Sequence, residues 1–180
     1  SRNNYEMINY KENGIFFHED IVKAGLSLYS IDGVWKTDGD VQSVQKFIDD
    51  YDPLPTFKEK ALLKIDHTHS FLLKKATGFA TTEERDTWQI KLDAAKGYLA
   101  NTATTTQKQM IEIEAPAYGY TPLYHANRVI EKSNNYALLV ATLAGLREKA
   151  KLTVLACTTI DEIQIAGNLL YEEALAIFGG

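Results

Sequence analysis

Asp66, His67 and His69 place a carboxylate and two imidazoles within four positions, residue types that ligate divalent metals. Their spacing argues against it. On a helix, ligands converge at i and i+3 or i+4, whereas i and i+2 point apart. His69 falls near the inner face of the surrounding pattern and His67 on its solvent side. Ser70 beside His69 is no nucleophile–base pair, because helical neighbours cannot align, and the chain has no Gly-x-Ser-x-Gly elbow. His18 and His125 stand alone. The 11 glycines are scattered and form no phosphate loop. Glu83-Glu84 and Glu172-Glu173 read as a helix start and a solvated face. Nothing makes either pair face across a cleft, as glycoside hydrolysis requires. The residues predict no catalytic centre, no metal site and no cofactor.

What remains is binding chemistry. Tyr118-Gly119-Tyr120 sets two phenols on a turn, where they stack on a sugar or a partner, or pack down to close a bundle end. Trp35 invites the same two readings. Asp49 and Asp50 can meet a partner's Lys or Arg, or simply face water. Phe17, in an apolar run of the acidic N-terminal part, completes the candidate contacts.

Most of these residues must be positioned by helices. Asp40 predicts a helix cap, with Val41, Val44, Phe47 (or Gln45) and Ile48 on one face up to about Tyr51. Asp49, Asp50, Asp52 and Pro53 mark its stop, and Pro55 opens the next helix over 56–76. That helix turns Phe57, Ala61, Ile65, Leu72 and Ala76 inward, widened by Leu62 and Leu73, and Gly78 ends it. Thr81 with Glu84 is a capping box for a helix burying Trp88, Leu92, Ala95 and Leu99. Residues 101–121 are ambiguous, and 110–114 fit a short helix or a strand. Thr121-Pro122 starts a helix to about Cys157, with a break expected near 133–135. Its Tyr136, Leu139, Leu143, Leu146, Ala150 and Cys157 follow heptad steps flanked by Val140, Ala144 and Val154. So broad a surface suits the bundle itself or a second copy of the chain. Thr159 with Glu162 caps a last helix through Ile163, Ala166, Leu170 and Ala174.

Before Asp40 the pattern differs. Residues 14–18, 26–31 and 34–36 read as short strands, and Asp32-Gly33 is a hairpin turn signal. The fold class is therefore mainly α (α+β): a small β-rich head over 1–40, then a helical domain over 41–180 of about five helices. Residues 41–55 form the connecting helix and the Pro-containing seam.

The 180 residues suit one domain, or a small module of something larger. Net charge is -5, unevenly placed. Residues 1–52 hold 5 Lys and Arg against 10 Asp and Glu, while residues 53–180 hold 14 of each. An acidic head makes nucleic acid a poor partner and a basic protein patch a better one. No apolar run approaches the roughly 20 residues that cross a bilayer, and 1–10 carry no signal-peptide pattern. Met7 as initiator and Ser1 as a processed end both stay open. Cys157 is the sole cysteine, expected in the core and compatible with a reducing compartment.

Val-Trp-Lys-Thr-Asp at 34–38, VQSVQKFIDDYDPLP at 41–55 and LLKID at 62–66 follow one another in a distinctive order. ERDTWQIKLDAAKGYL at 84–99 and IEKSNNYALLVATLAGLREKAKLTVLACTTIDEI at 130–163 complete it. This order resembles the small accessory proteins encoded beside phage and prophage tail-fibre genes, the tail-fibre assembly chaperone-like family. Residues 1–12 and 101–121 fall outside the pattern. The resemblance implies a non-enzymatic protein that binds the C-terminal region of a tail-fibre chain so that it trimerises. It would act in the host cytoplasm during phage assembly, or stay on the virion tail. The alternative is a structural tail or baseplate component, or a receptor-contacting tip exposing Tyr118 and Tyr120. Self-association through 136–157 is the further partner expectation; no membrane partner is expected.

Overall fold

The computed structural model describes residues 7–179, so Ser1 to Glu6 and Gly180 lie outside the described residues. The chain is mainly helical. In order come α1 (Phe17–Lys23), β1 (Tyr29–Ile31), β2 (Val34–Lys36), α2 (Val41–Asp50), α3 (Leu54–Ala76) and α4 (Thr82–Ala100). α5 (Thr105–Glu114), a 3-10 turn (Ala115–Tyr118), α6 (Pro122–Ala156) and α7 (Ile160–Phe178) follow. Two compact units result. One runs to Ile65 and adds Ala150–Leu169; the other is Asp66–Lys149 with the residues from Leu170 onward. The first unit thus holds α1, the hairpin and α2 together with the start of α3 and the segment Ala150–Leu169.

In the first unit, the expected strand over 14–18 is instead a turn and the start of α1. Gly14 turns the chain at φ 87. Phe17 and Ile21 then lie one helical turn apart, and both are buried against Val44 and Ile48, which are spaced the same way on α2. Two i, i+4 pairs interlock into one core, so the helical period overrides the β-type composition. Ile15 stays 77% exposed, which a strand alternating with Phe17 on the inner face would not allow. Ile8 closes the core, with Tyr10, Leu28 and Trp35 against it.

The head is not β-rich. Its strands are three residues each, and the strand expected over 26–31 forms only at Tyr29–Ile31. The hairpin itself is as the Asp-Gly pair predicts. Asp32 and Gly33 take φ 52 and 78, and Ile31 pairs with Val34, Ser30 with Trp35 and Tyr29 with Lys36. Asp40 caps α2, its carboxylate accepting from Ser43 N–H at 3.0 Å. Asp52 does the same for Leu54 N–H at 3.0 Å, so α3 starts earlier than Thr56. α1 meets α3 through Phe16 against Phe57, centroids 4.8 Å apart, and Glu19 on Lys60 at 2.9 Å. Further along α3, Ala61 lies so close to Gly167 of α7 that an added Cβ there would sit 3.4 Å away. Cys157 is buried, as its apolar pattern predicts.

In the second unit, Thr81 and Glu84 form the expected capping box, and Asn101 ends α4 in the left-handed region at φ 59. A second box, Thr104 with Gln107, starts α5 and resolves the ambiguous stretch as helix. The inner line of α4 differs from expectation. Ala94 and Ala95 are its buried residues, packed with Ile111 and Ala126, while Trp88 and Leu99 remain 36% and 37% exposed. Small side chains let α4 and α5 approach closely, and Gly97 faces the Ala103 backbone. α6 is unbroken through 133–135, because Ser and Asn weaken a helix only slightly and that stretch holds no Gly or Pro. With α1 and α5 added, the described residues hold seven α-helices rather than about five.

Candidate functional site

The second unit encloses a cavity of about 700 Å³. Two helical stripes and one turn build its wall. Arg85, Trp88 and Leu92 line it from α4 at i, i+3 and i+7. His125, Arg128, Lys132 and Tyr136 line it from α6 at steps of three and four. Thr121 fixes the start of α6, its hydroxyl accepting from Tyr124 N–H at 3.2 Å. Tyr118 and Tyr120 come from the 3-10 turn and its end, where Gly119 takes φ 72.

These rings order one another. Tyr118 stacks on His125 at 5.3 Å and on Tyr120 at 5.8 Å, with interplanar angles below 20°. Tyr120 meets Tyr124 edge-on at 4.7 Å. Opposite in character, Trp88 and Tyr136 form a T-shaped pair at 5.7 Å. The rings of the tyrosine turn pack on one another and on His125, and Tyr118 keeps 55% of its surface exposed.

Four cations, Arg85, Lys91, Arg128 and Lys132, line the cavity against one carboxylate, Glu114. Glu114 is engaged by Lys91 at 2.8 Å and lies 3.6 Å from His125 Nε2. Burial raises its pKa, but the Lys91 hydrogen bond and charge, with His125 alongside, outweigh burial and hold it below the ordinary carboxylate value. His125 is 5% exposed, and neither its Nε2 nor the buried Arg128 Nε has a hydrogen-bond partner among the described residues. Arg128 reaches Glu131 through Nη1 instead, at 2.7 Å.

The other predicted residues belong to the first unit. Phe17 is 0% exposed, so it is a core residue of the head and presents no surface to a partner. Trp35 is half-buried, stacked on Tyr10 at 4.0 Å and on His18 at 5.6 Å. Asp49 pairs with Lys11 at 3.2 Å and Asp50 with Lys46 at 2.5 Å, both at exposed positions. Such pairs are worth about 0–1 kcal/mol and exchange readily for another cation. The face of the hairpin opposite Trp35 carries Tyr29, Ile31 and Val34, of which Ile31 and Val34 are 49% and 44% exposed.

Asp66 is held by Arg147 Nε and Nη2 at 2.8 and 2.7 Å. No group of His, Cys, Asp and Glu gathers to hold a metal among the described residues, and none of their helices is long and apolar enough to cross a membrane. On the heptad stretch 136–157, Leu143, Ala150, Val154 and Cys157 are buried, while Leu138, Leu152 and Leu155 are exposed.

Comparison of the chain with protein-family models, with curated proteins and with solved structures finds no match.

Sequence reasoning missed the cationic wall. Arg85, Arg128 and Lys132 look like ordinary surface charges, and His125 looks isolated. The available signal was spacing: Arg85–Trp88–Leu92 and Arg128–Lys132–Tyr136 each put charge and ring on one helical face.

Proposed function

We propose that this chain is a non-enzymatic tail-fibre assembly chaperone or fibre-bound accessory factor, binding the C-terminal region of a phage tail-fibre chain in the host cytoplasm. The motif order from Trp35 onward motivates the family. The observation that supports a binding role is the hairpin. Ile31 and Val34 pair across the hairpin, each about half exposed, on strands that each have a single strand neighbour among the described residues. Exposed apolar side chains beside free strand edges suit extension of a partner's sheet. The excess acid of the head favours a partner segment carrying Lys or Arg.

Co-expression tests this reading. A tail-fibre chain made with the protein becomes soluble and trimeric, and fails to do so alone or with an Ile31→Asp, Val34→Asp variant. Equal trimer yield without the protein rejects the chaperone role. The exposure of Tyr118 supports a second reading, a structural tail component or receptor-contacting tip. Stoichiometric presence in purified particles, measured by mass spectrometry, favours that one. Self-association through 136–157 would draw on the exposed Leu138, Leu152 and Leu155 and the half-buried Tyr136, Leu139 and Leu146, since Leu143, Ala150 and Cys157 are already buried.

A further inference from the structure

The cavity of the second unit has a composition that fibre binding by the hairpin does not use. We infer that it is a binding site for a small organic anion built on a flat ring, with a phosphate or carboxylate group. Its volume of about 700 Å³ lies within the range of small-molecule sites. The lining charge is one-sided, and its only carboxylate, Glu114, is already neutralised by Lys91. Arg128 is likewise paired, with Glu131 at 2.7 Å, which leaves Arg85 and Lys132 to meet an anion. The bond of Arg85 goes to the Thr82 hydroxyl at 3.3 Å, and Lys132 has no ion pair among the described residues. A concave wall of one sign concentrates ions of the other.

The second, independent observation is the pair of buried nitrogens. His125 is almost fully buried, lines the cavity, and has an Nε2 without a hydrogen-bond partner among the described residues, with Glu114 3.6 Å away; the Nε of Arg128 is also unbonded, while its Nη1 reaches Glu131. A buried guanidinium N–H left unmatched costs free energy, and an anionic oxygen is the acceptor it satisfies best. The rings specify the remainder of the ligand. Trp88 and Tyr136 meet edge to face, and a planar body stacked on one of these rings would keep its charged group toward the cations.

The test uses the full chain and four probes: AMP, 4-hydroxybenzoate, adenosine and inorganic phosphate. Binding is followed by calorimetry and by the indole N–H signal of Trp88 in NMR spectra. AMP or 4-hydroxybenzoate is expected to bind saturably with Kd below about 1 mM and to shift the Trp88 signal. Which of the two binds more tightly tells phosphate from carboxylate. Adenosine and phosphate, each carrying half of the chemistry, bind at least about tenfold more weakly. Arg85→Gln and Lys132→Gln, both at exposed positions that leave the fold intact, each weaken binding by about tenfold, and added salt weakens it further. Failure of both ring-bearing anions to bind at millimolar concentration overturns the inference. So does binding that the two variants leave unchanged. Neither failure touches the fibre-binding proposal, which concerns the hairpin of the other unit.

Discussion

The hydroxyl of Tyr51, at the end of α2, donates to the Asp20 carboxylate of α1 at 2.5 Å. Thr56 donates to the same oxygen at 2.7 Å. One carboxylate of α1 thus ties down both the residue that ends α2 and the first turn of α3. The acids of this unit serve the fold both where partly buried, as Asp20, and at exposed caps, as Asp40 and Asp52, while Asp49 and Asp50 pair with lysines at the surface.

Tyr51→Phe is expected to lower stability by about 1–2 kcal/mol, since Asp20 keeps Thr56 but loses a charge-assisted bond. Burial first, then the bond to Asp20 and its charge, push the Tyr51 phenol above its ordinary value of 10.0. Its folded pKa is raised. The stabilisation is therefore full below pH 10.0 and lost as pH rises from there through the folded value. Denaturant unfolding between pH 8 and about 11 should show a flatter alkaline limb for the variant.

Phe17→Ala should cost about 3–5 kcal/mol, because it empties the centre of the head core. Ile15→Ala, two residues away and exposed, should stay within about 0.5 kcal/mol. Equal effects in thermal unfolding would refute the helical assignment of α1.

Glu114→Gln should flatten the acid limb of stability. The folded pKa of Glu114 is lowered, so its contribution is full above the ordinary value of 4.5 and lost as pH falls through the folded value. Melting temperatures from pH 7 to about 3 should converge between variant and wild type at the acid end.

Gly97→Ala should destabilise by about 1–3 kcal/mol, although Ala is the better helix former. The new Cβ would lie 3.1 Å from the Ala103 Cα, which cannot swing away. Thr102 and Ala103 both donate their N–H to the Gly97 carbonyl, at 2.8 and 3.0 Å. Circular-dichroism melts would measure the loss.

Ile31→Asp with Val34→Asp should cost about 1 kcal/mol each, since both are only about half exposed and the two carboxylates would face each other across the hairpin. The same pair of changes should abolish fibre rescue in co-expression. Retained rescue would move the proposed contact off the hairpin.

Local signals account for what was legible. Asp40, Thr81 and Thr159 each cap a helix as their positions predict, with hydroxyl or carboxylate accepting an N–H three residues on. Ile163, Ala166, Leu170 and Ala174 are all buried, as their spacing predicts. The Thr104–Gln107 box carried the same signal and was overlooked within a Thr-rich stretch. Residues 14–18 misled because aromatic and β-branched composition is a weak prior, and packing on α2 decided the outcome.

What the sequence determined by itself is therefore local: where helices start, where the Asp-Gly hairpin turns, and that the excess acid ends at Asp52. Each of these depends on hydrogen bonds and dihedrals within a few residues. Tertiary structure alone decided which residues meet. It buried Phe17 against Val44 and Ile48, gave α4 an alanine seam instead of a Trp88 seam, and gathered Arg85, His125, Arg128 and Lys132 around one cavity. Such meetings are set by the packing of helices far apart in sequence, and a single stripe does not reveal which other stripe it will face.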